Sequence, residues 1–299
     1  MIKKGIHIAL IILVCVITDA KSQHLPQFSQ YNFNRYVINP AVGGTERFFD
    51  VRTNHRYQWV GITDAPRTFT LSVNGPSKNQ KMGYGGYVFT DVVGPTRRLG
   101  AQISYAYKLI LKDDLKLSMS ISAGVLQFLI DGGKIIFSDP GDDVLSDQLV
   151  SATVPDIKFG LYLYSDTYFF GFTSPQLLQS KLSFFDQETN TLSKLEDHYY
   201  LMGGYKFNIN DDFDVEPSFL FKYVSPVPPK VDINVRAIYR DMVWLGGGYR
   251  TGDALSAMIG YTHRKNLTIG YSYDFTTTSL KRYALGTHEL MLGIKINPD

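Results

Sequence analysis

Six histidines, His7, His24, His55, His198, His263 and His288, are the first residues to test for chemistry. A zinc hydrolase needs two of them one helical turn apart, as in HExxH, and no pair here has that spacing. Cys15 is the only cysteine, so no CxxC metal or redox pair exists. No GxSxG nucleophile elbow occurs either. Serines are plentiful, which leaves a Ser–His hydrolase open as a third-ranked reading, but no pair is singled out. Gly246, Gly247 and Gly248 are not followed by the Lys-Ser/Thr of a phosphate loop, and glycines of this kind in a strand mark bends or close backbone approach. The sequence therefore predicts no catalytic, metal or cofactor-binding residue.

Two other groups carry polar character with a pattern. Lys158, Lys206, Lys222, Asp232, Arg236 and Asp274 fall in the middle of alternating segments, on the polar face. Charges of both signs at such positions suit a hydrated lumen, a salt-bridged one, or the seat of a plug. The second group mixes aromatics with amides outside the alternating segments: Gln27, Phe28, Gln30, Tyr31 and Phe33, then Gln58, Trp59 and Pro66. Aromatics supply anchoring area and amides supply directional hydrogen bonds, so these are candidate partner-binding residues.

The elements that must position these residues are β-strands. In Leu115-Lys-Leu-Ser-Met-Ser-Ile-Ser-Ala-Gly-Val125 the odd positions are apolar and the even ones polar or Gly, and residues 99–109, 231–237 and 267–275 repeat the pattern. A period of two gives one apolar and one polar face. The apolar face is rich in Tyr and Phe, with Tyr107, Tyr223, Tyr239 and Tyr273 near strand ends. Tight polar turns at residues 112–114, 165–166, 210–212, 241 and 264–266 alternate with looser connections at 130–153, 174–196, 225–230, 251–253 and 276–286. Together these features predict a transmembrane antiparallel β-barrel. About fourteen strands are expected, at 48–56, 67–74, 82–91, 98–111, 115–129, 155–164, 167–173, 198–209, 213–224, 231–240, 242–250, 254–263, 267–275 and 288–297.

Residues 1–22 read as a cleaved signal peptide: Lys3 and Lys4 precede an apolar core, and Ala20 and Ser22 lead to a mature start at Gln23. Cys15 would leave with it. Residues 23–45 form an ordered segment, periplasmic or tucked into the lumen, because Phe28, Tyr31, Phe33, Tyr36, Val37 and Ile38 are too many apolar groups to leave in water. Residues 46–299 form the barrel. The expected location is the outer membrane of a Gram-negative cell, with both termini in the periplasm. Lys and Arg total 30 against 28 Asp and Glu, with no basic stripe, so nucleic acid is not an expected partner.

Several segments, taken in order, resemble the PorP/SprF family of type IX secretion system outer-membrane proteins of the Bacteroidota. They are Pro26-Gln-Phe-Ser-Gln-Tyr-Asn-Phe-Asn34, Asn39-Pro-Ala-Val-Gly-Gly44, residues 56–70 from Arg56-Tyr-Gln-Trp onward, Gly94-Pro-Thr96, Leu161-Tyr-Leu-Tyr-Ser-Asp166 and Pro175-Gln-Leu-Leu-Gln179. In the last third stand Glu216-Pro-Ser-Phe219, Tyr249-Arg-Thr-Gly-Asp253, Gly270-Tyr-Ser-Tyr-Asp274 and His288-Glu-Leu-Met-Leu-Gly293. The resemblance implies a non-enzymatic barrel supporting secretion or surface anchoring of adhesin-type cargo, including gliding adhesins. Its partners would be outer-membrane lipid, the C-terminal domain of cargo and components of the secretion machinery, with no cofactor. The alternative is a plugged porin or small-molecule channel.

Overall fold

The computed structural model describes residues 26–135, 149–182, 193–225 and 227–297. The expected signal peptide lies outside the described residues. Fourteen antiparallel strands close into a barrel. They are β1 (Phe49–Tyr57), β2 (Arg67–Pro76), β3 (Met82–Val93), β4 (Thr96–Ile110), β5 (Lys116–Asp131), β6 (Leu149–Tyr164), β7 (Tyr168–Ser174), β10 (His198–Tyr205), β12 (Phe213–Val224), β13 (Val227–Tyr239), β14 (Val243–Arg250), β15 (Ala254–His263), β16 (Leu267–Thr276) and β17 (Thr287–Ile296). A small hairpin, β8 (Lys181–Leu182) with β9 (Ser193–Lys194), and β11 (Phe207–Asn210), which pairs with β12 just beyond β10, complete the set. The seam of the ring joins β1 to β17 over Phe49↔Ile296 through Tyr57↔His288.

Alternation decides which way each side chain points. In β5, Ser118, Ser120 and Ser122 are buried within the barrel while Ile121 and Val125 are exposed outside. The outer face is a belt of aliphatics such as Val88, Ile103, Ile233, Leu245, Ile259 and Ile269. Exposed aromatics border it near both strand ends: Tyr84, Tyr107, Tyr168, Tyr205 and Phe213 toward one mouth, and Tyr57, Tyr199, Tyr223 and Phe275 toward the other. This is the surface that lipid hydrocarbon between two interfaces requires.

One mouth, here the turn mouth, is closed by residues 77–81, 111–115, 165–167, 211–212, 240–242 and 264–266. Consecutive positive φ values at Arg240 and Asp241, and again at Arg264 and Lys265, make these mirror-type hairpin turns, whose twist matches the flanking strands. The loop mouth carries 58–66, 132–135, 175–182, 193–197 and 277–286. It also carries short connections that the sequence reading took for loose ones. Residues 251–253 form a turn around Gly252 at φ 64°, and β13 begins at Val227 rather than near residue 231. The larger departure is β6, which starts at Leu149 instead of residue 155.

The inner face also departs from the expected polar pattern at one place. Beyond Gly124 the inward positions of β5 and β6 turn apolar. Leu126, Ala152 and Val154 are buried there beneath Leu182 of β8 and Leu195, which follows β9, at the loop mouth.

Candidate functional site

The lumen is occupied by the chain's own N-terminal residues. From Phe28 the chain runs through a short helix α1 (Arg35–Ile38) and a 3-10 turn (Pro40–Val42) to Gly44, and then enters β1. Its two sides differ in chemistry. Phe28, Tyr31, Val37, Ile38 and Ala41 pack on Tyr162, Phe169, Tyr200, Met202 and Leu220 of β6, β7, β10 and β12. Each such burial stabilises by roughly 1.5–3 kcal/mol. The opposite side is amide and hydroxyl, and faces β14–β17, β1 and β2.

At the loop mouth that polar side meets a charged network. The Ser29 backbone N–H donates to Glu289 Oε2 at 2.7 Å, and Ser29 Oγ donates to Asp274 Oδ2 at 2.6 Å. Arg56 bridges the same two carboxylates, at 3.0 and 2.8 Å, and also donates to Ser29 Oγ at 2.9 Å. Gln30 Nε2 donates to the Glu289 carbonyl at 2.9 Å. Beside them Asp232 accepts from Arg250 at 3.0 Å and from Lys222 at 2.8 Å. Three cations thus face three carboxylates. Isolated charges at this depth would be costly, and this pairing offsets the cost. The cavity among Ser29, Asp232, Arg250 and Asp274 is about 10 Å³, on the scale of a single water.

Toward the turn mouth, Arg35 of α1 bonds Glu216, which also accepts from Arg236 at 2.9 Å. The Arg35 guanidinium lies 3.8 Å over the Phe169 ring, and Arg236 lies 4.4 Å over Phe33, which stacks on Trp244 at 3.8 Å. Asn34 Nδ2 donates to Asn54 Oδ1 at 2.9 Å, and Asn39 Nδ2 to the Leu161 carbonyl at 2.8 Å. Lys108 bonds the Gly44 carbonyl. The plug approaches the wall so closely that several facing positions have no room for a side chain. A Cβ on Gly85 would meet the Tyr36 hydroxyl at 2.6 Å, and one on Gly171 would meet Asn39 Nδ2 at 2.9 Å. The exposed pair at the turn mouth makes a contrast. Arg240 holds the Asp212 carboxyl below the usual carboxylate range by hydrogen bonding, at 2.7 and 3.1 Å, and such solvated pairs contribute little.

Of the charged residues singled out by pattern, Lys222, Asp232 and Asp274 join the loop-mouth network, and Arg236 joins the turn-mouth cluster. Lys158 is buried and donates to the Tyr87 hydroxyl at 2.7 Å. Lys206 sits instead at the turn-mouth rim, half-exposed and paired with Asp214 at 3.0 Å. Of the aromatic–amide group, Phe28, Gln30 and Tyr31 are buried against the wall and Phe33 is held between Trp244 and Arg236, so these side chains brace the barrel. Gln27 is half-buried at the start of the described chain. The 58–66 loop is pinned rather than free. Trp59 N donates to Thr287 Oγ1 at 3.1 Å, Val60 exchanges backbone bonds with Gly286 and Leu285, and Pro66 is buried.

Phe28 and Ser29 lie beside the loop-mouth ends of β14, β16 and β17, while Ile296 lies at the turn mouth. Sequence reasoning also passed over Arg35, Arg56, Glu216, Arg250 and Glu289. All but Arg35 lie in segments that carry the resemblance, and so do Gln30, Asn34 and Asn39. The same segments supply part of the contacts between plug and wall, and Lys108, Phe169, Tyr200, Met202, Leu220 and Trp244 supply others.

The fold and filled lumen define an outer-membrane β-barrel with an internal plug. The family model for the type IX secretion system membrane protein PorP/SprF matches residues 20–294, and the chain belongs to that family. Solved structures share the barrel at low identity. A FadL homologue of Pseudomonas aeruginosa is 12% identical with TM-score 0.50, covering 91% of this chain and 95% of its own. Omp33 of Acinetobacter baumannii is 10% identical with TM-score 0.48, covering 85% and 99%. The toluene transporter TodX of Pseudomonas putida is 10% identical with TM-score 0.46, covering 88% and 92%. No curated protein matches the chain.

Proposed function

We propose that this protein is a sealed, non-enzymatic platform of the type IX secretion system that helps secrete or anchor adhesin-type cargo. It binds the cargo's C-terminal domain or other machinery components with surfaces outside the lumen. The observation that carries this reading is the plug, hydrogen-bonded through Ser29 and Gln30 to the buried ion-paired layer at the loop mouth, ion-paired through Arg35 to Glu216 toward the turn mouth, and packed along its length. A lumen filled in this way favours a platform over the alternative of a small-molecule channel, whose solute would need a continuous path. The experiment is purification of the tagged barrel from native outer membranes, followed by reconstitution in planar bilayers. A co-purifying adhesin or secretion component together with baseline conductance is the expected result. Steady conductance from the isolated full-length barrel would return the channel reading to first place.

The loop mouth faces the cell exterior in this proposal, so the start of the plug opens toward the surface and Ile296 toward the periplasm. A cysteine replacing Lys281 is expected to react with a membrane-impermeant maleimide on whole cells, and one replacing Asp211 only after the envelope is permeabilised. The opposite labelling would invert the orientation.

A further inference from the structure

β6 stands above its neighbour. On the β5 side it is paired up to Leu149↔Asp131, but on the β7 side its pairing ends at Phe159↔Ser174. Among the described residues, 149–158 thus have a paired strand on one side only. Residues along an antiparallel strand alternate in which neighbour their backbone groups address. The Ile157 carbonyl accepts from Leu177 N at 2.9 Å and the Pro155 carbonyl from Ser180 Oγ at 2.9 Å, so these two address the side away from β5. In the same phase Thr153 and Ser151 turn their N–H and C=O groups to that side, and no described residue bonds them there. Pro155 fits this reading, since a residue without N–H is tolerated where no strand waits to receive one.

Edges in native sheets are usually blunted by charge, proline or a bulge. Residues 149–153, Leu-Val-Ser-Ala-Thr, have none of the first two and pair with β5 in unbroken register. Behind the edge, Ala152 and Val154 are packed under Leu182 and Leu195, which fixes the strand in place. The chain's own loop already docks on the two residues below, so the edge is competent to bind. Donor–acceptor pairs repeating about every 6.6 Å along a line match an extended chain and not a helix or a small solute.

We propose that the free edge of β6 at Ser151 and Thr153 receives an extended strand of the secreted cargo, which lengthens the barrel sheet by backbone pairing. This rests on the anchoring function proposed above. Backbone pairing asks little of the partner's sequence beyond an uncharged, β-prone segment, so one edge serves different cargoes.

The test is co-purification of cargo with the full-length barrel from native membranes. Thr153→Pro removes the edge N–H while leaving β5 paired, and it is expected to reduce captured cargo roughly tenfold, the loss of about 1.4 kcal/mol. Thr153→Val, which keeps the N–H, is expected to behave as wild type. If Thr153→Pro does not assemble, the Ser151→Lys/Thr153→Lys pair, which blunts the edge from the outer face, decides the matter. Cargo captured equally by the folded edge variants overturns the edge proposal alone. A photoreactive residue at Ser151 that cross-links only to the barrel's own chain overturns it too. If the wild-type barrel captures no cargo, the anchoring function itself falls.

Discussion

Replacing Glu289 with alanine is expected to lower the stability of the folded barrel by about 3–5 kcal/mol, the range for removing one partner of a buried ion pair. Glu289 is fully buried and joins three elements. It accepts from Arg56 on the neighbouring β1, from Asn54 on the same strand at 3.1 Å, and from the Ser29 backbone of the plug. Its loss leaves the buried Arg56 guanidinium with Asp274 as its one carboxylate partner and strands the Ser29 N–H away from water, and these lost bonds dominate the cost. Arg56→Ala is expected to cost a similar amount because it uncovers two carboxylates. The double variant is expected to lose less than the two single losses added together, with a coupling of about 0.5–3 kcal/mol for residues in direct contact. Urea unfolding in lipid vesicles, followed by the fluorescence of Trp59 and Trp244, measures all three. Strict additivity would mean that Arg56 and Glu289 do not act as a pair.

Filling the wall where the plug touches it is expected to open the barrel without unfolding it. Gly160 and Gly171 flank Asn39, and a Cβ on Gly160 would already press on Ser120 Oγ at 2.8 Å and Pro40 Cδ at 3.2 Å. A Gly160→Leu/Gly171→Leu barrel overpacks this point twice, at about 1–3 kcal/mol each. The wall keeps its β5, β6 and β7 hydrogen bonds, and the flexible Met202 side chain beside Gly171 can give way, so most of the strain falls on Asn39 and Pro40 of the plug. The expected results are steady ion conductance where the wild type has none, protease cleavage within residues 26–44, and an unchanged heat-modifiable band for the barrel. A folded variant that stays sealed would show that the wall yields instead.

The strands were legible because alternation is local. Thirteen of the fourteen began within about four residues of where the period placed them. The exception, β6, hid behind Pro155. A proline preceded by Ser151-Ala-Thr-Val154 reads as the end of a strand, and only the absence of a β7 neighbour makes that proline compatible with a strand that continues outward. The inward charges Lys222, Asp232, Arg236 and Asp274 were legible from the same alternation. Their partners were not, because pairing depends on register around the closed ring. Arg56 and Glu289 are 233 residues apart and meet only across the seam. The plug was half legible. Its apolar residues had to be covered by something, but nothing local distinguishes an aromatic–amide surface that meets a partner from one that meets the barrel's own wall.

The path of the plug decides how the molecule bears mechanical load. The segment enters β1 at the turn mouth, where Lys108 holds Gly44, and its first described residues lie at the loop mouth beside Glu289 and Asp274. A pull on them from the loop side breaks the Ser29 bonds first and then comes up against the covalent link at Phe49. A pull on residues 45–48 from the turn side is divided between β1 and the noncovalent bonds of the plug. Load from either compartment is finally borne by the first strand of the wall, so the stopper can be unseated but stays tethered.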